Sequence, residues 1–446
     1  MPGSLLIMTY EFPPAGGGGV QRVTKFARYL PDFGWRPVVL TSEPTRGRPT
    51  DESLLTEVSH VPAVRLPARN VSSLIARSLS PVKKARESLR RGQSPAGSEG
   101  ATPPVEKAAP PVSARLARSL AMDDAVWWAR AAQRRGVSLG REHGVSAVLA
   151  SGPPFSVLVA GRHVAAALDV PLVADMRDGW RDNPAAWYPS PAARRRALRA
   201  ELAVLAAADV VLAVSPRIAV EAMELGGRDV RVLPNGFDPD DVVPRRPQQG
   251  GPLRLVFMGK MYGRLTEPWD VFKALARVRS SHPGLAVTLE IIGEAGGQIR
   301  SAAESAGLSA TVDFSGYLPH AEAIGRVARA DVAVVIVADR PGAKAVLTGK
   351  LFEYLAIGMP ILALVPPDGD AAQLMTSLDA GWVIRPHDVT AVADAIVRLA
   401  LEKRDGTLHG GAPPEAIAKY ERRALTGELA AVLSGVTAPP AGRSEA

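Results

Sequence analysis

The stretch that decides the fold is residues 5–30, LLIMTYEFPPAGGGGVQRVTKFARYL. It begins with a continuous apolar run at 5–10, which is typical of a strand buried on both faces, and it ends with an amphipathic helical pattern at 20–30. The four consecutive glycines between them cost backbone entropy and supply no packing. Because backbone amides at a helix N-terminus favour an anion, the stretch predicts a strand, a loop and a helix with an anion site in the loop.

The same alternation continues along the chain. Helical patterns at 192–207, 269–279 and 321–328 separate further short apolar runs. This order predicts an α/β fold of parallel sheets with helices on both faces. The other predicted strands are 38–42, 147–151, 172–175, 210–215, 253–259, 287–293, 312–316, 332–337 and 361–365.

Length and composition indicate two domains. The chain has 446 residues, more than one compact domain usually needs, and it has no cysteine, which excludes disulfides, thiolate metal sites and cysteine nucleophiles. A polar segment rich in Pro and Gly at 238–252 predicts a hinge. We therefore expect an N-terminal domain at 1–237, a C-terminal domain at 253–410, a C-terminal helix at 411–435 that could pack back on the N-terminal domain, and a tail at 436–446.

The net charge of +8 is unevenly distributed. Residues 71–118 contain nine Lys or Arg and three Asp or Glu, and their second half is low-complexity sequence. Two interpretations stay open for this insertion: a helix on an anionic membrane, or a basic surface helix with a polar tail. Basic residues interleaved with aromatics, as in a nucleic-acid binder, are not evident in the sequence. The N-terminus lacks a signal-peptide pattern, so we expect a cytoplasmic protein, with peripheral contact at the inner face of the cell membrane through 71–118 as the open alternative.

Two motifs follow predicted strands of the first half. SGPPFS lies at 151–156, and ADMRDGW at 174–180 places Arg177 between two carboxylates, one of them Asp178. Ligands of open α/β sheets bind outside the carboxyl ends of strands, where both motifs fall. Turns closed by a salt bridge are the alternative interpretation.

Two further motifs lie in the second half. In VFMGKMYGR at 256–264, a strand runs into Gly259 and is followed by the cations Lys260 and Arg264, which predicts a diphosphate clamp. In TGKLFEYLAIGMPIL at 348–362, Lys350 and Glu353 are three positions apart and therefore neighbours on one helix face.

Together and in this order, these motifs resemble the retaining GT-B glycosyltransferases of glycosyltransferase family 4, with the bacterial cell-envelope and glycoconjugate members as the nearest likeness. The resemblance spans about 8–398 without 71–118. It implies two Rossmann-like domains facing across a cleft, a UDP- or GDP-sugar donor, a glycan, lipid-linked or small-molecule acceptor of that sugar, no bound cofactor and no metal. The strings Asp238-Pro239-Asp240 and Asp368-Gly369-Asp370 are typical of turns rather than of metal sites.

The resemblance also implies roles for individual residues. Glu353 matches the family glutamate that binds the nucleotide ribose, and Lys260 matches the phosphate-binding cation. Many relatives carry a second glutamate eight positions earlier, where this chain has Ala345. The expected catalytic residues are Gly18, Gly19, Arg177, Asp178 and Lys260. The expected nucleotide-binding residues are Gly16, Gly17, Gly259, Lys260, Arg264, Lys350, Leu351 and Glu353.

Three alternative functions differ in the residues that they require. A sugar-nucleotide 2-epimerase shares the architecture but needs acid and base residues that no motif supplies. A non-catalytic nucleotide-sugar-binding protein is compatible with Ala345. A dinucleotide oxidoreductase requires a GxGxxG turn, which the glycine loop does not provide.

Overall fold

The computed structural model describes residues 3–45, 49–68, 122–184, 188, 190–261, 265–408 and 410–438. The basic insertion 71–118, Arg264 and most of the tail lie outside these ranges. The described residues form one sheet of seven strands and one of six. All strand pairs in both sheets are parallel, so the predicted α/β architecture is confirmed.

The first sheet has the strand order β3-β2-β1-β4-β5-β6-β7. Its strands are β1 Gly3–Thr9, β2 Trp35–Ser42, β3 Ala63–Leu66, β4 Ala147–Gly152, β5 Leu172–Met176, β6 Val210–Ala213 and β7 Val230–Val232. The helices that accompany it are α1 Gly18–Tyr29, α2 Ser53–Glu57, α3 Val126–His143, α4 Ser156–Leu168, α5 Pro191–Ala207 and α6 Pro216–Glu224.

The second sheet has the order β10-β9-β8-β11-β12-β13. Its strands are β8 Leu253–Met258, β9 Val287–Ile292, β10 Val312–Gly316, β11 Val332–Ile336, β12 Ile361–Leu364 and β13 Gly381–Ile384. The helices of this half are α7 Trp269–Ser281, α8 Gly297–Ser305, α9 His320–Val327, α10 Gly349–Ile357, α11 Asp370–Ser377, α12 Val389–Arg404, α13 Pro414–Ile417 and α14 Arg422–Thr437.

Both faces of each sheet are covered. In β1, Leu6 and Met8 pack into the core beneath α3, α4 and α5, whereas Leu5 and Ile7 pack into the core on the opposite face. Successive side chains of a strand point to opposite faces, so a strand buried on both sides needs a continuous apolar run. The loops that leave the carboxyl ends of these parallel strands open at one edge of each sheet.

The chain crosses between the halves twice, and the two crossings are hydrogen-bonded to each other. The Phe237 amide donates to the Tyr420 carbonyl (3.1 Å), and the Arg422 amide donates to the Phe237 carbonyl (2.7 Å). Helix α14 then packs on α1, with Leu429 buried in the same core cluster as Leu5. The C-terminal helix therefore ties the second half of the chain to the first sheet.

None of the helices within the described ranges is both long enough and apolar enough to cross a membrane.

Candidate active site

The glycine loop joins β1 to the N-terminus of α1. Gly17 has φ of +105°, a conformation that favours glycine, and a Cβ added to Gly17 or Gly18 would have no neighbouring atom within 4 Å. Open space and bare amides therefore meet at the positive end of the α1 dipole. Gly16 is different, because a Cβ there would collide with the hydroxyl of Tyr317 from the second half.

A buried ion pair joins three of the sequence motifs. Arg22 on α1 donates to Asp175 at the end of β5 (2.8 Å), and the two side chains are 1% and 0% exposed. Ser151 donates to the same carboxylate (2.6 Å). Arg22 also donates to the carbonyls of Leu233 (2.9 Å) and Pro234 (2.6 Å). A buried charge must be paired and hydrogen-bonded, so this ion pair fixes the positions of the three loops relative to one another.

Arg177 ties the glycine loop to the SGPPFS loop by donating to the carbonyls of Gly19 and Pro153. Burial lowers the pKa of Arg177, and the nearby Asp175 and Asp178 oppose that shift. Solvent reaches the Asp178 side chain, yet desolvation by the surrounding protein raises the pKa of its carboxyl to about 6, against the charge of Arg177. This site thus combines a hydrogen-bonded cation with a carboxyl whose pKa lies at about 6.

The opposite wall begins at Gly259, which follows β8 with φ of +122°. A Cβ on Gly259 would lie 2.9 Å from Nζ of Lys350, so this ammonium group rests on the Gly259 backbone. A Cβ on Gly293 would in turn collide with the Gly259 carbonyl. Burial lowers the pKa of Lys350 to about 8, while Glu353 opposes the shift. Both glycines are therefore required for the close approach that seats Lys350.

Lys260 lies at the solvent rim of this wall. Its Nζ is 2.8 Å from Oε2 of Glu294, and the two side chains are 54% and 43% exposed. An exposed pair of this kind is worth at most about 1 kcal/mol, so an incoming anion can replace Glu294 at little cost. Arg264, the second predicted cation, lies outside the described residues.

Glu353 projects from α10 toward the hinge side of the cleft. Its Oε1 is 3.7 Å from Nε2 of His320 at the start of α9. Both residues line a small pocket that also includes Lys25, Asp238 and Arg422. The side chain of Leu351 is 1% exposed in the core, so only its backbone could reach a ligand.

The two halves touch across the cleft. Besides the contact of Gly16 with Tyr317, the His320 amide donates to Asp51 (3.2 Å). The Ser215 hydroxyl donates to the Ala345 carbonyl (2.9 Å). The first half therefore contacts the loops after β10 and β11 of the second half, and the glycine loop lies against the loop after β10.

The position of Ala345 explains the missing family glutamate in physical terms. Ala345 is 5% exposed and packs into the core cluster of the first sheet. A glutamate there would bury its carboxylate at the contact between the halves. This chain therefore uses that position for packing between the halves.

The two Asp-x-Asp strings form ion pairs. Asp238 is 2.8 Å from the Lys25 ammonium, and Asp368 is 2.6 Å from that of Lys344. Within the described part of the chain, no group of three or more His, Cys, Asp or Glu is arranged to hold a metal ion.

Comparison with protein families gives two matches that divide the chain as the two sheets do. Residues 17–236 match the "Glycosyl transferase 4-like domain" and residues 252–402 match "Glycosyl transferases group 1". The chain belongs to the GT-B glycosyltransferases of the family 4 type. The expected GT-B fold of two Rossmann-like domains is therefore confirmed.

Individual relatives of this glycosyltransferase are distant. Glycogen synthase of Mycobacterium tuberculosis is 30% identical over 237 residues, which are 51% of this chain and 54% of the relative. The chain thus spans about half the length of the curated relatives it matches. Sucrose-phosphate synthase from Thermosynechococcus elongatus superposes with a TM-score of 0.68 at 15% identity, covering 97% of this chain and 98% of that one. A glycosyltransferase from Rickettsia africae superposes with 0.62 at 10% identity, with the same coverage.

Sequence reasoning missed several residues of the cleft. Glu11 is the clearest, since its Oε2 would lie 3.4 Å from a Cβ on Gly19. Its place between β1 and the glycine loop is a signal that could have found it. Tyr317, His320 and Glu294 belong to the cleft only through contacts between distant segments, and no local pattern marks them.

Proposed function

We propose that this glycosyltransferase moves a sugar from a UDP- or GDP-sugar to a glycan, lipid-linked or small-molecule acceptor, with retention of anomeric configuration. The observation that carries the proposal is the pair of lysines, Lys260 and Lys350, beside Gly259 in the second half, together with a glycine loop that opens a helix in the first half. Cations on one wall and helix amides on the other suit a diphosphate held between the halves.

The donor is proposed to bind mainly to the second half. Glu353 would accept hydrogen bonds from the ribose hydroxyls, with His320 beside its carboxylate (3.7 Å) to restrict its orientation. Lys260 would exchange Glu294 for the diphosphate, and Lys350 would reach it from beneath Gly259. The close contact of Gly16 with Tyr317 joins the two halves beside the glycine loop, where closure on a bound donor would exclude water.

Catalysis is proposed to rest on electrostatic stabilisation of the departing group. The bond from the anomeric carbon to the phosphate oxygen breaks, the acceptor oxygen bonds to that carbon, and the proton of the acceptor hydroxyl passes to the departing diphosphate oxygen. Amides of Gly18 and Gly19, with the charges of Arg177 and Lys260, would neutralise the leaving diphosphate. Asp178, ionised above about pH 6, would accept a hydrogen bond from the acceptor hydroxyl.

The proposed diphosphate site consists of lysines and amides, so we expect transfer to persist in the presence of EDTA. A cytoplasmic enzyme with peripheral membrane contact through 71–118 stays a prediction, because that segment lies outside the described residues.

The test is a turnover assay with a panel of UDP- and GDP-sugars and a mixed acceptor pool, followed by NMR of the product anomer. Release of nucleoside diphosphate that requires an acceptor, with the donor configuration kept, supports the proposal. Conversion of the donor without an acceptor would instead indicate an epimerase. Binding of the donor without any turnover would indicate a non-catalytic binding protein.

A further inference from the structure

One face of the first sheet carries an unusual charge. Helices α3, α4 and α5 cover this face side by side, with α4 in contact with both others. Together they contain nine arginines and two glutamates, with no lysine or aspartate, a net charge of +7. Glu201 is 3% exposed, and Glu142 is held by Arg135 (2.6 Å). Glu142 therefore neutralises only Arg135, and the buried Glu201 does not reach the outer surface.

The arginines of α3 form a stripe on its outer side. Arg130, Arg134 and Arg141 are exposed and fall on one helix face, because steps of four and seven residues return to the same side. Trp127 continues the stripe, 37% exposed, with the Arg130 guanidinium 4.7 Å from the centre of its ring. The buried residues, such as Trp128, lie on the opposite side.

Helix α5 repeats the pattern. Arg195 and Arg199 are exposed, four residues apart, and Leu202 completes the stripe at 39% exposure. Within the described residues, no ion pair is formed by Arg134, Arg195 or Arg199. Arg195 also lies in the second turn of α5, near the positive end of the helix dipole, and the first turn holds no acid. Since cations are disfavoured there, this placement does not serve the helix itself.

A shallow groove of about 270 Å³ runs between the ends of α4 and α5 on this same side. Arg162 and His163 line it together with Asp209. The Nε atom of Arg162 is buried and has no hydrogen-bond partner among the described residues. A small anionic group entering the groove would satisfy that donor.

We propose that the outer face of α3, α4 and α5 docks on an anionic lipid bilayer. Arginines strengthen adsorption to such a surface. The exposed side chains of Trp127 and Leu202 supply apolar anchors for the bilayer, which binding to the phosphodiester backbone of a nucleic acid would not need. The Ser156 amide at the start of α4 donates to Asp123 just before α3 (2.7 Å). Both helix starts thus lie at the carboxyl edge of the sheet, so docking places the cleft rim next to the lipid surface.

This surface is separate from the basic insertion 71–118 and does not depend on the donor chemistry. The sequence did not reveal it, because acidic residues elsewhere in the chain cancel its charge in the total of +8. It is assembled only when three helices from different segments pack on one sheet.

The test is cosedimentation of the full chain with vesicles of equal parts phosphatidylglycerol and phosphatidylcholine, at low salt. The variant is Arg130→Glu/Arg134→Glu/Arg199→Glu. The matched control is Lys273→Glu/Arg277→Glu/Arg398→Glu, which makes the same charge change on exposed positions of α7 and α12. Each arginine near an anionic surface strengthens binding about fivefold, so reversing three of them should weaken binding at least about 100-fold while the control stays close to the unchanged protein.

Equal weakening by both triple variants would mean that only net charge matters, and it would overturn the proposal. Undiminished binding by the variant, or tighter binding of duplex DNA than of vesicles by the unchanged chain, would also overturn it. Thermal unfolding checks that each variant folds. If the triple variant fails that check, Arg134→Gln/Arg199→Gln decides instead, with about 25-fold weaker vesicle binding expected.

Discussion

The buried pair of Arg22 and Asp175 gives the sharpest stability prediction. Asp175→Asn removes one charge without creating a cavity, and it leaves the Arg22 guanidinium 1% exposed and uncompensated. Breaking a buried pair in this way costs about 3–5 kcal/mol. Asparagine still offers an acceptor, and the carbonyls of Leu233 and Pro234 still accept from Arg22. We therefore expect a loss near the lower limit, about 3 kcal/mol in the free energy of unfolding.

The chain supplies a matched control. Arg231 and Asp229 are also an Arg–Asp pair, at 2.7 Å instead of 2.8 Å, but their side chains are 49% and 41% exposed. Water screens that pair, so Asp229→Asn should cost at most about 1 kcal/mol.

Urea unfolding followed by tryptophan fluorescence measures both variants, because Trp128 and Trp180 lie in the core of the same half. A large midpoint shift for Asp175→Asn with a small one for Asp229→Asn is expected. If the two variants lose the same stability, to within about 1 kcal/mol, burial does not govern these pairs and the reasoning fails.

Three further predictions concern pH and the cleft. Desolvation raises the pKa of the Glu201 carboxyl in the folded protein to about 7. The contribution of the protonated carboxyl to the free energy of unfolding is therefore fully present below the ordinary carboxyl pKa, and it is lost as the pH rises through about 7. Glu201→Gln should remove that dependence, a difference on the order of 3 kcal/mol at high pH, and parallel pH–stability curves would contradict this. In Gly18→Ala the added methyl group meets no neighbouring atom, so urea unfolding should show no loss of stability. Transfer activity should nevertheless fall at least tenfold, because the methyl group would occupy the space of the bound anion. Full activity would mean that no ligand approaches the loop. The affinity for a nucleoside diphosphate should weaken above about pH 8 because Lys350 loses its proton there. The variant Lys350→Met should bind about tenfold more weakly at neutral pH and should lack this pH dependence. Identical pH profiles of the two proteins in calorimetry would count against Lys350 as a ligand.

Continuous apolar runs were sufficient to predict ten of the strands. The three that escaped, β3, β7 and β13, have four residues or fewer and are mostly half-exposed. Each lies at or near a sheet edge, where one-sided burial leaves no continuous run in the sequence.

The site was predictable where a single segment carries the signal. The glycine loop and Arg177 stand in motifs after strands and are hydrogen-bonded to each other, and Lys350 stands on a helix with its side chain against Gly259. The contacts of Tyr317 with Gly16 and of Glu294 with Lys260 join distant segments, so no spacing within one motif announces them. The burial of Ala345 likewise depends on how the second half packs against the first.

The central claim is that the second half binds a nucleotide-sugar donor through Glu353 and Lys260. The most direct measurement is calorimetric titration of the protein with UDP, GDP and ADP, repeated for Glu353→Ala, for Lys260→Ala and for the exposed control Lys273→Ala on α7. We predict that one nucleotide binds, that both site variants weaken it at least tenfold, and that the control binds unchanged. A folded protein that binds none of the three, or binds one equally well in all variants, would contradict the assignment.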